Sequence, residues 1–328
     1  MRRVIIDTEC HVLFRTFPRE SNPDRPLTTR ASWHEYSGDL FAAEMERSGV
    51  DKGFLISYDA DDIRWYLEET QGGDMTDFFG GRKYTLESAV KKYPERFLWF
   101  ATLKNPTRPD TLARMQKDFA DGALGMKIFP AYSQLALDDP SYFAIYGAIA
   151  EAGRRIIFSF EDTVPGLTPD VADYWHQLDR MLTEFPTIKV QINHAGAGNP
   201  DDPVSEPRNP EARLIFDVVG RHDNVWLSTA YLGKVWDDES EYPYHNYLAR
   251  LEALRDGVGA NRLFWATDWP WLEAYQNYPQ AVNCITRHAS FFTDDERRAF
   301  LGENAFDFVK DLLPGYERAR IFSGREVS

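Results

Sequence analysis

The sequence predicts an α/β fold, a single (β/α)8 barrel of the TIM type, because eight short apolar runs alternate with amphipathic segments along nearly the whole chain. Most of these runs are almost continuously apolar, as is typical of parallel strands that are buried on both faces. The 328 residues would suit about two average domains, but barrels of this length routinely form one. An open doubly wound sheet is the alternative, yet no Gly-x-Gly-x-x-Gly motif follows the first run to favour it.

The apolar runs and the segments between them define the predicted elements in order. Strands are expected at residues 3–7, 53–57, 97–101, 123–129, 155–159, 188–193, 224–228 and 262–266. Helices are expected at residues 40–48, 110–119, 140–152, 169–185 and 210–221. Gly49 is a suitable stop for the first helix, and Pro140 suits the start of the third, where the missing N–H of proline costs no hydrogen bond.

Three long connections and a C-terminal arm extend this one domain, which is expected to span residues 1–328. Connections as long as 13–39, 59–82 and 195–209 are usually functional, and in a barrel the loops that follow strands lie on the catalytic face. The arm, residues 316–328, is expected either to pack on a partner subunit or to be a solvated terminus.

Composition and charge exclude several classes of function. With 37 basic against 52 acidic residues, the net charge is −15, which disfavours nucleic-acid binding. Two cysteines are too few for a disulfide framework. The chain has neither a signal-peptide pattern nor an apolar run long enough to span a membrane. We therefore expect a soluble cytoplasmic protein whose partner is a small-molecule substrate.

Polar residues of the metal-ligand type stand where predicted strands end. The first strand ends in Asp7-Thr8-Glu9-Cys10-His11, and alternation along an extended chain predicts that Asp7, Glu9 and His11 share one side. His194 follows the sixth strand and Asp268 the eighth. Each alone has a structural alternative, such as a buried histidine or a helix cap. Since the strand ends of a barrel converge on one mouth, their coincidence favours a site.

Motifs spread over nearly the whole chain resemble the amidohydrolase superfamily, and within it the amidohydrolase-2 family, which includes aminocarboxymuconate-semialdehyde and aromatic-acid decarboxylase-like members and hydrolases. The motifs occur in the family's order. They are Ile6-Asp7-Thr8-Glu9-Cys10-His11, Gly125-Met126-Lys127-Ile128-Phe129-Pro130, Leu137-Asp138-Asp139-Pro140, Asn193-His194-Ala195-Gly196, Arg262-Leu263-Phe264-Trp265-Ala266-Thr267-Asp268-Trp269-Pro270 and Gly302-Glu303-Asn304-Ala305.

The resemblance implies one divalent metal ion, manganese or zinc, and a homodimer or larger homo-oligomer. Glu9 and His11 would be metal ligands from the first strand, and the Glu-x-His form resembles the family's aromatic-acid decarboxylases. Asp268 would ligate the metal and move a proton, and His194 would polarise the substrate or transfer a proton.

Two positions depart from the family pattern. Ser159 stands where members usually place a metal-binding histidine after the fifth strand, and Phe129 replaces the histidine of a Gly-x-Lys-x-His-Pro stretch. Loss of an imidazole weakens zinc binding and leaves a carboxylate-rich set that suits manganese or magnesium. Glu161 is a candidate replacement ligand if the strand extends that far.

Further residues have both a functional and a structural interpretation. Lys127 either serves the site, by binding a substrate carboxylate or as a pH-tuned amine, or pairs with an acidic neighbour. Cys10 is expected to be a packed thiol that points away from Glu9 and His11. One arginine of the first long connection is a candidate for binding an anionic substrate, and most of the arginines there are expected to be solvated. The remaining candidates are Arg15, Arg19, Arg25 and Arg30 in that connection, Trp175, Trp269 and Trp271 as aromatic pocket or core, and His176, His222, His245 and His288 as structural residues.

The predicted function is that of a metal-dependent amidohydrolase-like enzyme that acts on a small carboxylated or cyclic organic substrate. The first hypothesis is hydrolysis of an ester, lactone or amide bond by a metal-activated water. The alternative is a non-oxidative decarboxylase of an aromatic or unsaturated acid, towards which the Glu-x-His motif points. A second alternative is a non-catalytic barrel whose metal site has decayed.

Overall fold

Eight parallel strands form one sheet in chain order, which confirms the predicted barrel. The computed structural model describes residues 4–12, 36–56, 83–103, 106–133, 135–160, 170–196, 204, 206–230, 241–274 and 276–315. The strands are β1 Ile6–Cys10, β2 Lys52–Ile56, β3 Phe97–Thr102, β4 Gly125–Ile128, β5 Arg155–Phe158, β6 Lys189–Ile192, β7 Val225–Ser228 and β8 Leu263–Phe264.

Helices follow the strands, and all five predicted helices are present. The α-helices are α1 Gly38–Ser48, α2 Lys83–Lys92, α3 Thr111–Ala120, α4 Pro130–Ser133, α5 Phe143–Glu151, α6 Val171–Glu184, α7 Arg213–Arg221, α8 His245–Val258, α9 Tyr278–Asn283, α10 Asp294–Arg298 and α11 Asn304–Val309. As predicted, Gly49 ends α1 in a left-handed conformation. Pro140 begins a 3-10 turn ahead of α5, so the predicted helix 140–152 has two parts.

The first strand lies further along the chain than the sequence predicts. It runs over Ile6–Cys10 instead of residues 3–7, and Asp7, Glu9 and His11 are all fully buried. The pairing of Asp7 with Gly53 and of Cys10 with Leu55 leaves one extra residue on β1, which is a β-bulge. Charged residues normally mark the end of a buried strand, but here Asp7 and Glu9 each have buried polar partners.

The barrel closes where the chain leaves β8 and pairs with β1. Thr8 N donates to Trp265 O at 3.2 Å, Asp268 N donates to Glu9 O at 2.8 Å, and His11 N donates to Trp269 O at 2.7 Å. These bonds extend the contact well beyond the two residues of β8. They also carry Asp268 to the carboxyl end of β1.

Apolar side chains fill the opposite end of the barrel. Ile6, Phe54 and Phe100 from the strands pack with Phe306 and Phe308 of α11. Arg155, the first residue of β5, donates to the carbonyl of Phe308 at 2.6 Å, so this cluster lies at the amino ends of the strands. The polar cluster described below therefore belongs to the carboxyl ends.

A larger apolar layer lies between the strands and the helices and includes the tryptophans that were candidates for a pocket wall. Trp269 stacks on Phe41 of α1 with ring centres 4.4 Å apart, and Trp175 of α6 packs edge-on against Phe160. Both tryptophans are fully buried, which agrees with the core interpretation. Among the residues that the structure describes, none of the helices is long and apolar enough to cross a membrane.

Several sequence predictions lie outside the described residues. They are the arginines Arg15, Arg19, Arg25 and Arg30, the whole connection 59–82, most of the connection 13–39, Glu161, and the arm 316–328. The connection 195–209 is described at residues 195–196, 204 and 206–209.

Candidate metal centre

Three predicted ligands converge at the carboxyl ends of the strands. One ligand atom from each of Glu9, His11 and Asp268 lies within 4.8 Å of the other two, and all three residues are buried. Nε2 of His11 is 3.0 Å from Oδ1 of Asp268. Two carboxylates and one imidazole at this separation form a donor set that suits a divalent cation.

The main chain at the end of β2 orients the ring of His11 for metal binding. Nδ1 of His11 lies 3.0 Å from the carbonyl oxygen of Ile56, at the end of β2. A histidine that binds a metal through one nitrogen commonly has its other nitrogen held by a carbonyl in this way. Nε2 therefore faces Asp268, and the residues present fit a metal ion.

Two of the predicted site residues have rare backbone conformations. Asp268 has φ 54° and His194 has φ 54°, both in the left-handed region that non-glycine residues seldom adopt. Ala195 and Gly196 continue this conformation with φ 53° and 75°. A Cβ at Gly196 would come within 2.3 Å of the Trp175 ring, so only glycine fits there. Strained backbone of this kind is concentrated at functional sites.

Glu9 lies at the centre of a buried polar cluster. Lys127 Nζ donates to Glu9 Oε1 at 2.8 Å, and the side-chain amide of Asn193 donates to the same oxygen. His194 Nε2 is 3.2 Å from Oε2, and Ser228 Oγ donates to that oxygen at 3.4 Å. Burial acts to raise the pKa of Glu9, but the charges of Lys127 and His194 lower it below its ordinary value. Glu9 is therefore ionised.

Asp268 has the opposite electrostatic setting. Burial and the neighbouring carboxylate of Glu9 raise its pKa above the ordinary value, and the contact with His11 opposes them only in part. A carboxyl with a raised pKa exchanges protons more readily near neutral pH. Ahead of the short helix Trp271–Ala274, Trp271 N donates to the backbone carbonyl of Asp268, while the Asp268 side chain contacts His11.

Asp7 does not share the side of Glu9 and His11, so that prediction is wrong. The bulge in β1 turns its carboxylate towards Tyr278, whose hydroxyl donates to Oδ2 at 2.9 Å. Thr267 donates to Asp7 through its backbone N at 3.0 Å and its hydroxyl at 2.6 Å. Burial raises the pKa of Asp7 to about 7, although these hydrogen bonds act to lower it. Asp7 thus joins β1 to the segment that carries Asp268.

Phe129 and Ser159, the two departures from the family pattern, are both buried. Lys127 pairs with Glu9, which is the acidic-neighbour alternative, and its Nζ is 4.6 Å from the centre of the Phe129 ring. Ser159 is fully buried and follows β5 directly. The sequence interpretation missed Asn193 and Ser228, although each is a polar residue at a strand end, the same signal that identified His194.

The remaining candidates have structural contacts. Cys10 donates from Sγ to the carbonyl of Phe54 at 3.0 Å and packs in the layer beneath α1. Burial, together with the carboxylates of Asp7 and Glu9, raises the pKa of the Cys10 thiol well above its ordinary value. Elsewhere, His222 pairs with Asp179 of α6 at 2.7 Å, and His288 contacts the Tyr242 hydroxyl at 2.9 Å.

Comparisons with solved structures agree with the fold. A structure from Acinetobacter baumannii assigned as a 2-pyrone-4,6-dicarboxylic acid hydrolase is 17% identical, with 93% of this chain and 99% of that chain aligned and a TM-score of 0.64. The 2,6-dihydroxybenzoate decarboxylase from Rhizobium is 18% identical, with 94% and 99% aligned and a TM-score of 0.65. The 5-carboxyvanillate decarboxylase from Novosphingobium aromaticivorans, solved with manganese, is 16% identical, with 94% and 96% aligned and a TM-score of 0.62.

The sequence itself matches a known family over most of its length. The model of the family described as Amidohydrolase covers residues 83–310. No protein among those of curated function matches the sequence. The family match covers more than half of the chain and agrees with the motifs and the barrel. The chain therefore belongs to the amidohydrolase family.

Proposed function

We propose that this enzyme hydrolyses an ester, lactone or amide bond in a small carboxylated or cyclic organic substrate. The observation that carries the proposal is the convergence of Glu9, His11 and Asp268 within 4.8 Å. A divalent metal ion held by these residues would polarise the scissile carbonyl and lower the pKa of water. Manganese is the first candidate, since two carboxylates and one imidazole suit it and zinc alike, and the N. aromaticivorans relative was solved with manganese.

Asp268 is the proposed acid–base group. Its carboxyl is buried, its pKa is raised by burial and by Glu9, and it contacts His11 at 3.0 Å. In hydrolysis Asp268 accepts a proton from the attacking water and returns it to the leaving oxygen or nitrogen, so that no net proton remains on the enzyme.

His194 is the proposed second polar group of the reaction. Nε2 of His194 lies 3.2 Å from the ionised carboxylate of Glu9, which holds the ring in place beside the ligand set. With Nε2 directed at Glu9, a protonated His194 would use its Nδ1–H to donate a hydrogen bond to the substrate oxygen on which negative charge develops. The strained backbone at residues 194–196 supports a functional role for this segment.

Decarboxylation is the second candidate, because a buried carboxyl beside His11 is placed equally well to donate a proton. A protonated Asp268 could deliver its proton to a ring carbon while the bond to the carboxylate carbon breaks and carbon dioxide leaves. The Glu9-x-His11 motif and the shared fold of the Rhizobium decarboxylase lend further support. A non-catalytic barrel has less support, because two buried carboxylates and a histidine remain convergent.

The experiment compares chelator-treated protein with protein reloaded with manganese or zinc. The substrates are 2-pyrone-4,6-dicarboxylate as a cyclic ester, and 2,6-dihydroxybenzoate and 5-carboxyvanillate as aromatic acids. Hydrolysis adds one water to the product and releases no carbon dioxide, whereas decarboxylation releases one carbon dioxide per turnover. We expect ring opening of the lactone by the reloaded protein only. Carbon dioxide release from the acids without lactone opening would favour the second candidate, and equal activity after chelation would contradict the metal-dependent mechanism.

A further inference from the structure

The ion pair between Lys127 and Glu9 is sealed inside the barrel. Nζ of Lys127 lies 2.8 Å from Oε1 of Glu9, and the two side chains are 1% and 0% exposed. Water does not screen charges at this depth, so the attraction between them is far stronger than that of a surface pair. Lys127 comes from β4, on the opposite side of the barrel mouth from the closure of β1 and β8.

Protein donors contact both oxygens of Glu9. Oε1 accepts from Lys127 and Asn193, and Oε2 faces His194 and Ser228. An ionised carboxylate has about four lone-pair positions for such contacts. A metal ion that binds to Glu9 must therefore share the carboxylate with a buried ammonium group.

We infer that Lys127 is a tethered cation that competes with the metal ion for Glu9 and lowers the affinity of the site for divalent cations. The inference rests on the proposed metal centre. The ammonium group already balances the negative charge of Glu9. Metal entry adds positive charge beside Lys127 and weakens the hold of Lys127 on Oε1.

The alternative role for Lys127 is to support metal binding by Glu9. If Lys127 served only to hold Glu9 in a productive orientation, its loss would release the carboxylate and weaken metal binding. Competition instead predicts tighter metal binding, since removal of the ammonium group leaves the charge of Glu9 uncompensated. The direction of the change in affinity therefore separates the two roles, and general damage to the fold cannot produce tighter binding.

The test measures manganese and zinc affinity by isothermal titration calorimetry on chelator-treated protein at one fixed pH. Lys127→Met, which keeps the length of the side chain without its charge, is expected to bind both metals about tenfold more tightly or better than the wild type. Ser228→Ala is the matched control, because it removes a long, neutral hydrogen bond to the same carboxylate. The metal affinity of Ser228→Ala should differ from that of the wild type by less than about threefold.

The outcomes separate the inference from the proposed function. Equal or weaker binding by Lys127→Met beside a binding wild type overturns the inference and leaves the metal centre intact. If Lys127→Met binds the metals and the wild type does not, the inference is supported but metal-dependent catalysis by the wild type is contradicted. Absence of binding in both overturns both, because a competing cation would have no site to compete for.

A second measurement needs no variant and applies even if Lys127→Met does not fold. In a crystal structure of the wild-type protein loaded with manganese, Nζ of Lys127 should have moved beyond hydrogen-bond distance of Glu9 Oε1. A Glu9 that ligates the metal while it keeps the present 2.8 Å contact with Lys127 would overturn the inference.

Discussion

Nε2 of His11 lies 3.0 Å from Oδ1 of Asp268, although these residues come from opposite ends of the chain. The contact depends on the closure of the barrel, because Asp268 N donates to Glu9 O and His11 N donates to Trp269 O. The ligand set therefore forms only when the segment after β8 reaches β1.

Replacement of Asp268 by Asn tests its role as the acid–base group. Asn has nearly the same shape but cannot exchange a proton, so kcat should fall by about 10²–10⁴-fold. The thermal midpoint should not fall, because the change removes a buried charge that Glu9 repels. Asp179→Asn, on the outer face of α6, is the matched control and should keep full activity. Turnover by Asp268→Asn at the wild-type rate would exclude the proposed mechanism.

The Lys127–Glu9 pair makes a distinct prediction for stability. Glu9→Gln leaves the ammonium of Lys127 buried without its counter-charge, which should lower the free energy of unfolding by about 3–5 kcal/mol. The double variant Glu9→Gln/Lys127→Met removes both charges and should recover part of that loss. Urea unfolding of metal-free protein measures both values. Losses that simply add would mean that the two side chains are not energetically coupled.

The sequence was sufficient to predict the strands because burial on both faces leaves a visible record. Most of the runs around β2 to β7 contain several consecutive apolar residues, so local composition locates them, whereas the run at 188–193 alternates apolar and polar residues. β1 was misplaced because Asp7 and Glu9 resemble the polar end of a strand, whereas both are fully buried within it. Their compensation comes from Lys127, Thr267 and Tyr278, which lie far away in the sequence.

The same distinction applies to the site. Glu9, His11, His194 and Asp268 could be predicted, since each is a ligand-type residue at the end of an apolar run. The side on which Asp7 lies could not, because a β-bulge has no local signature and reverses the alternation. The choice of Glu9 as the partner of Lys127 joins residues 118 positions apart, which only the closed barrel determines.

The two cysteines should be unreactive in the native protein. Burial, with nearby carboxylates, raises the pKa of Cys10 well above its ordinary value, and burial raises the pKa of Cys284 to about 12. The thiolate is the reactive form, so a thiol reagent at pH 8 should label neither residue before denaturation and both afterwards. Rapid labelling of one thiol in the folded protein would contradict the burial of that cysteine.

Glu206 gives a prediction for pH that does not involve the metal centre. It lies between β6 and α7 and accepts hydrogen bonds from Arg208 Nε at 2.8 Å and, from α8, Arg250 Nε at 2.8 Å. Burial acts to raise its pKa, but hydrogen bonds from the two arginines lower it to about 2. A lowered pKa in the folded state means that the ionised form stabilises the fold. This stabilisation is fully present above pH 4.5 and is lost as the pH falls towards 2.

Glu206→Gln should therefore lower the free energy of unfolding at pH 7 by about 1 kcal/mol, a modest figure because the carboxylate is partly exposed to solvent. The difference in free energy of unfolding between the two proteins should shrink below pH 4.5. There Glu206 of the wild type takes up a proton in the unfolded state, which offsets the stabilisation from its ionised form in the folded state. Urea unfolding of both proteins across this range measures the difference directly. Glu252→Gln is the control and should show no such trend. Glu252 is exposed, and its Oε1 makes only a long contact of 3.5 Å with Nη2 of Arg255. A deficit of constant size at every pH would mean that Glu206 stabilises the fold through shape and neutral hydrogen bonds rather than through its charge.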